Sequence, residues 1–380
     1  VSSRLPFGDA GPHLEERHRE LQARVFEVAR AHFEGDEEED EAAATVGAVR
    51  ALAREGLLAS TVPAPFGALD LRSLVVSREA IAYFSGLADS AFAIQGLGSH
   101  PLALGGSEAQ KKALLPAVVA GEAVPAFAVT EPEAGSDLGA VQTRATRVGD
   151  GWRLDGLKTY ISNAGVASFY TVLARSTPDS PKGLSMFLVD GQAPGLSVRP
   201  LQPMAPHPLG EVRFEGVPAQ LIGAEGRGLA LALQTLDTFR PTVGAAACGM
   251  ARRAMDEAVE HVRHRRQFGQ ALCEFQAVQM HLADMELDLS GARLLVLHAA
   301  FTRDRGAPRI TREGALAKLG ATEAAQRVID RALQLHGGAG VMRGAAVERL
   351  YREVRALRIY EGATDVQKLV IARQILETRQ

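Results

Sequence analysis

Glu361 is the residue whose type and setting point most directly to chemistry. It sits between an aromatic, Tyr360, and a glycine, Gly362, at the break between two helical patterns. A short, stiff connection of this kind can aim a carboxylate into a cavity, where it can do acid–base work. An acid before a glycine is also an ordinary way to stop a helix, so the pair alone does not decide. Five other groups carry possible chemistry. Phe127, Val129 and Thr130 lead into Glu131-Pro132-Glu133-Ala134-Gly135-Ser136-Asp137. This is a short strand entering a turn of small residues, where a flat ligand could approach backbone N–H groups, or a plain strand-to-loop corner. Tyr160, Ile161 and Ser162 set an aromatic beside a hydroxyl, which suits a ring face or a sheet core equally. Asp237 and Arg240 precede Pro241; Arg240 could clamp a phosphate or simply pair with Asp237. Arg265, Gln267 and Phe268 lie at a helix end, and form the best local site for a pyrophosphate in a chain without net positive charge. Gln334 begins a glycine-rich stretch with Gly337 and Gly338; it lacks the strand-then-helix setting of a dinucleotide fingerprint, and a helix cap would also explain it.

The elements that must position these groups follow from periodicity. Residues 12 to about 122 read as helices only: His13–His32, Ala42–Leu58, Arg72–Gly86, Ser90–Leu104, and a helix opened by a Ser107/Gln110 capping box and ending at Gly121. The acidic run Glu34–Glu41 reads as a solvated cap or loop, and Pro63, Pro65 and Gly67 mark a loop. Near Pro125 the period changes. Phe127 to about Phe214 is rich in β-branched and aromatic residues, with a hairpin turn at Gly149-Asp150-Gly151 and short strands at Phe169–Ala174, Leu184–Val189 and Val212–Phe214. From Gly226 helices return: Leu229–His264, interrupted or bent at Pro241, then Phe275–Arg303, Ile310–Leu335 and Gly344–Leu357. A last helix begins near Asp365, with Thr364 and Gln367 at capping-box spacing. The expected architecture is α+β multidomain: an N-terminal all-α domain (1–124), a middle antiparallel β-domain (125–223) and a C-terminal four-helix bundle (224–380).

Composition narrows the functional classes. The chain has 380 residues, 46% apolar and 23% charged, with a net charge of −3. It is therefore expected to fold as a soluble globular protein with no global attraction to nucleic acid or anionic membrane. No apolar run is long enough to span a bilayer, and Leu14–Arg24 is too polar for a signal peptide. Two cysteines, Cys248 and Cys273, fit a reducing, cytoplasmic location and offer no metal-ligand spacing. His261 and His264 lie i, i+3 on a helix, but no acid–cysteine set completes a site, so no metal is expected.

Taken together, the ordered motifs from Phe127 to Gln367 resemble the acyl-CoA dehydrogenase family. Thr130–Asp137 is close to that family's Thr-Glu-Pro-X-Ala-Gly-Ser-Asp motif, and the Tyr-Glu-Gly segment lies where the family carries its base. The resemblance implies FAD held between the β-domain and the bundle. Phe127, Val129 and Thr130 would face the flavin, with Thr130 bonding near N5. Tyr160, Ile161 and Ser162 would lie against the ring, and Gly135 and Ser136 by the FAD and the pantetheine. It further implies CoA or substrate contacts at Asp237, Arg240, Gly362 and Arg373. Cofactor contacts are implied at Ala363 and Asp365, and contacts across a subunit interface from Arg265, Gln267, Phe268, Gln334, Gly337 and Gly338. His336 would be a flavin neighbour. The implied assembly is a homo-oligomer, a tetramer or dimer.

The reaction implied is α,β-desaturation of an acyl-CoA to its trans-2-enoyl product in fatty acid or amino acid catabolism. Glu361 would take the α-proton and flavin N5 the β-hydride, and an electron-transfer flavoprotein would be the electron acceptor. An alternative base used by isovaleryl-type members would stand at Phe239, which carries no acid. Ala363 replaces a common threonine, Asp365 a neutral or longer polar residue, and Pro203–Gly210 departs from the usual Gly/Arg-containing segment. An oxygen-using oxidase or monooxygenase of the same fold and a non-catalytic flavin scaffold are the rival readings; retention of Glu361 argues against the scaffold.

Overall fold

The computed structural model describes residues 5–8, 11–35, 40–177, 180 and 183–377. The helices before the sheet are α1 (Glu16–Phe33), α2 (Glu41–Arg54), α3 (Leu71–Phe84), α4 (Gly86–Gly105) and α5 (Glu108–Val119). The predicted capping box opens α5 with both bonds made: Gln110 N donates to Ser107 Oγ at 3.2 Å and Ser107 N to Gln110 Oε1 at 2.9 Å. Within the acidic run, residues 36–39 lie outside the described residues; Asp40 caps α2, accepting from Ala43 N at 3.0 Å.

The strands are β1 (Pro125–Ala128), β2 (Arg144–Val148), β3 (Gly151–Ser162), β4 (Phe169–Arg175), β5 (Leu184–Asp190), β6 (Leu196–Leu201) and β7 (Leu209–Ile222). The Gly149-Asp150 turn joins β2 to β3, with Val148 opposite Gly151. The path runs β1-β4-β2-β3-β7-β5, β6 pairs with β7, and β4 also pairs with β5, closing a ring. Closure leaves few open strand edges. The expected antiparallel sheet needs one correction. β1 and β2 both run parallel to β4, at Pro125–Ala128 against Phe169–Val172 and at Arg144 against Arg175. Trp152, Leu154, Ile161, Tyr170, Phe187, Val212 and Phe214 fill the interior.

The C-terminal helices are α6 (Gly228–His264), α7 (Gln276–Asp304), α8 (Thr311–His336), α9 (Ala346–Leu357) and α10 (Thr364–Glu377), with a two-residue hairpin, β8 (Arg266–Gln267) and β9 (Gln270–Ala271), before α7. α6 runs unbroken through Pro241. Gly314 of α8 faces the Pro241 ring, where even a Cβ would come to 3.4 Å of Cγ. Two compact units result. One comprises α1, α3, the start of α4, α6 from Asp237 and everything after; the other holds residues 37–70 and 90–236, including the sheet. Among the described residues no helix is long and apolar enough to cross a membrane.

Candidate active site

The helical unit builds its site around the connection from α9 to α10. Glu361 takes φ +52° and Gly362 φ +101°. A non-glycine residue in the left-handed region costs roughly 1–3 kcal/mol and persists only where its surroundings enforce it. Here three donors enforce it. Arg240 Nε donates to the Glu361 carbonyl at 3.2 Å, while Lys318 Nζ and Gln367 Nε2 donate to the Gly362 carbonyl at 2.8 and 3.2 Å. These come from α6, α8 and α10. Thr364, one of the predicted capping pair, does not cap α10. Its hydroxyl donates to Glu323 Oε1 at 2.7 Å, and Gln367 reaches past it to Gly362. The tertiary partner Glu323, itself paired with Arg358, outcompetes the local bond.

With its backbone pinned, Glu361 turns its side chain inward. The residue is partly exposed, yet Oε2 is sealed from solvent and accepts no hydrogen bond. Burial raises the carboxyl above its ordinary pKa; Arg78, then Lys318 and Arg240, pull it back down, and Asp89 pushes it up. Arg78, on α3, is buried and forms a two-pronged pair with Asp89 at 2.8 and 2.6 Å, with a third bond to Thr242 Oγ1 at 2.8 Å. Burial opposes its charge, but Asp89 outweighs burial and holds it protonated. A carboxylate poised between desolvation and nearby cations is chemically a base that strengthens as water leaves.

The other expected residues of this unit fall into two groups. Asp237 and Arg240 stand beside the Glu361 turn, bonded to each other at 2.9 Å. Arg240 is buried under the turn, so its guanidinium serves Glu361's backbone. Phe239 is fully buried, so a phenyl fills the alternative base position. Gly362 and Ala363 belong to the turn, whereas Asp365 and Arg373 lie exposed on α10. Arg265, Gln267 and Phe268 project at the β8–β9 hairpin; Phe268 is 94% exposed at φ +51°. Gln334, Gly337 and Gly338 are exposed at the end of α8, where His336 stacks on His261 with centroids 4.3 Å apart.

In the sheet unit the expected residues converge. Thr159 N donates to the Thr130 carbonyl at 3.0 Å, placing the exit of β1 beside Tyr160. A register shift between Lys158 and Ile161 and a left-handed Tyr160 turn that ring outward, 66% exposed. Phe127 and Val129 are buried, and Ile161 packs into the core. Among the described residues the hydroxyls of Thr130, Ser136 and Ser162 donate to no protein acceptor. An exposed aromatic ring, buried apolar residues in the neighbouring strand and uncommitted hydroxyls are groups that suit a flat ring with a polar rim such as a flavin. Beneath them Lys158, fully buried, donates to Glu131 Oε1 at 2.8 Å and to the Val129 carbonyl at 3.2 Å. Glu131 in turn accepts from Gln142 N and Thr143 N at 2.7 and 2.9 Å, which fixes the turn that carries Thr130.

Sequence reasoning did not single out Arg78, Lys318 or the Lys158–Glu131 pair, and read Gln367 only as a helix cap. A signal existed for Lys318: it shares the buried face of α8 with Gly314, Ala315, Ala321, Thr322 and Ala325, a core position for a charge. Arg78 likewise occurs at a core position of α3.

Comparison with known proteins accords with this geometry. Three family models match in order: the N-terminal domain of acyl-CoA dehydrogenase over residues 15–122, its middle domain over 126–217 and its C-terminal domain over 226–376. The chain is 39% identical over 334 residues to the cyclohexane-1-carbonyl-CoA dehydrogenase of Geobacter metallireducens, covering 85% of this chain and 87% of that protein. It is 36% identical over 374 residues to a probable acyl-CoA dehydrogenase, FadE25, of Mycobacterium tuberculosis, covering 96% of each. The solved butyryl-CoA dehydrogenase of Megasphaera elsdenii superposes with a TM-score of 0.86 at 30% identity, over 96% of this chain and 99% of that one. The chain therefore belongs to the acyl-CoA dehydrogenase family of FAD-dependent oxidoreductases acting on CH–CH bonds.

Proposed function

We propose that this chain desaturates an acyl-CoA thioester between its α and β carbons, with Glu361 as the base. The observation that carries the reading is the sealed, partnerless Oε2 of Glu361 on a left-handed turn held by Arg240, Lys318 and Gln367. An α C–H is far less acidic than a carboxylic acid, so the base must gain strength on binding. A dry site supplies this, because excluding water raises the carboxyl pKa. Among the described residues no acceptor takes the Glu361 N–H, which leaves it to donate to the thioester oxygen as enolate charge develops. The α-proton goes to Glu361, and the hydride leaves the β carbon as the double bond forms. FAD, when bound, supplies the acceptor for that hydride. Thr130, Tyr160 and Ser162 would orient it, with Phe127, Val129 and Ile161 as the apolar residues of the same segments. Gly135, Ser136 and Asp237 are the residues assigned to the CoA arm, by the match of their motifs to the family. The exposed Phe268 hairpin, with Arg265, Gln267 and the Gln334–Gly338 segment, contributes to a partner subunit's cofactor in a homo-oligomer. An electron-transfer flavoprotein in the cytoplasm reoxidises the enzyme.

The test is anaerobic titration of the purified holoenzyme with straight, branched, cyclic and aromatic acyl-CoAs, following the flavin band. One class is expected to bleach the wild type, and Glu361→Gln should keep its yellow colour and lose bleaching. Full retained turnover in that variant would remove Glu361 as the base.

A further inference from the structure

Lys318 is a fully buried ammonium with a single described hydrogen bond, to the Gly362 carbonyl at 2.8 Å. Among the described residues no carboxylate lies within ion-pair distance of it. A buried lysine without a contacting counter-ion is costly, and an uncharged side chain would pack α8 against its neighbours more cheaply. Lys318 therefore needs a reason to be charged. The residues around it supply one: its bonded carbonyl belongs to the residue after Glu361, and Glu361 is the foremost favourable charge it feels. Arg240 and Arg358 oppose its charge and Glu323 favours it, while Glu361 itself faces Arg78 on α3, Asp89 on α4 and Arg240 on α6.

We propose that Lys318 is a positioning residue for the Glu361 base, one that pins the turn through the Gly362 carbonyl and whose charge, added to that of Arg78, favours the ionised form of the desolvated carboxylate. The proposal rests on the reading of Glu361 as the base. Two tasks are combined in one side chain. The hydrogen bond holds φ +101° at Gly362. The charge, with those of Arg78 and Arg240, offsets part of the burial that raises the Glu361 carboxyl. Burial lowers Lys318 itself to about 8, so the charge is in place at neutral pH and weakens above it.

Three variants of the FAD-loaded enzyme separate the tasks. Lys318→Gln keeps a donor for the carbonyl without charge, Lys318→Met removes both, and Lys318→Arg keeps charge. The first readout needs no substrate: the infrared C=O band of the protonated carboxyl that vanishes in Glu361→Gln, titrated against pH. In Lys318→Gln and Lys318→Met the midpoint should rise by about one unit, since an opposite charge has been removed; in Lys318→Arg it should stay near wild type. The second readout is the acid limb of kcat/KM for the acyl-CoA that bleaches the wild type, which should move up in parallel. An unchanged midpoint in both neutral variants overturns the proposal. So does a rate loss that is uniform across pH, which marks a purely structural role. Should Glu361→Gln retain turnover, the base assignment fails, while the infrared midpoint still decides whether Lys318 tunes that carboxyl.

Discussion

Replacing Gly362 by alanine perturbs the base turn with the smallest possible change. A Cβ at Gly362 would meet Gln367 Nε2 closer than the 3.0 Å that real Cβ contacts respect, and would come within 3.6 Å of Arg240 Nε. In an open site the amide would swing aside. Gln367 is fully buried and its Oε1 already lacks a partner, so moving Nε2 off the Gly362 carbonyl leaves both ends of the amide unsatisfied. The loss of that buried bond costs about 1–3 kcal/mol. Forcing alanine to φ +101° adds about 1–3 kcal/mol more. Together these give about 2–6 kcal/mol against the native turn, enough to make a relaxed turn with a displaced carboxylate competitive.

The assay has two arms. Denaturant unfolding of wild type, Gly362→Ala, Gln367→Ala and the double variant forms a cycle that isolates the clash. The double variant should be less destabilised than the sum of the singles, because removing the amide removes the collision and leaves only the backbone strain. Flavin reduction by the reactive acyl-CoA then reads the geometry: a relaxed turn lowers the rate while the flavin spectrum stays intact. A Gly362→Ala enzyme that unfolds at the wild-type midpoint and reduces its flavin at the wild-type rate would refute the reasoning. It would mean that the Gln367 amide and the left-handed turn do not constrain the base.

Two other expectations follow from the buried charges. Asp89→Asn leaves Arg78 buried without its counter-charge and should destabilise the helical unit by about 3–5 kcal/mol; because Asp89 raises the Glu361 pKa, the variant's acid limb in kcat/KM should move to lower pH, and a limb that stays put would count against Arg78 and Asp89 acting on the base. Lys158→Met strands Glu131 in the sheet unit and should cost a similar 3–5 kcal/mol with weakened FAD retention, and Lys158→Met combined with Glu131→Gln should recover part of it; no recovery in unfolding experiments would show that the pair's bonds to Gln142 and Thr143, and not its charges, hold the Thr130 turn.

Much of this molecule is legible in its linear pattern. The Ser107/Gln110 cap, the Gly149-Asp150 hairpin, the switch from helical to strand period near Pro125, and the return to helices after Gly226 are all local, and local bonds follow from neighbouring residues. The order of the motifs from Phe127 to Gln367 was likewise readable, as was a carboxylate at the break before the last helix. The parallel pairing of β1 and β2 with β4 was not, because the partners lie some 30 to 45 residues along the chain and nothing in either strand encodes direction. The capping pair at Thr364 and Gln367 misled for a related reason: Glu323, on another helix, takes the Thr364 hydroxyl. The sequence by itself determined which side chain could act as a base and on which connection it sits. Tertiary structure alone decided the surroundings in which it would act. Desolvation of Oε2 and the pull of Arg78, Arg240 and Lys318 depend on through-space distance, and helices far apart in the chain must pack together before any of those charges comes near Glu361.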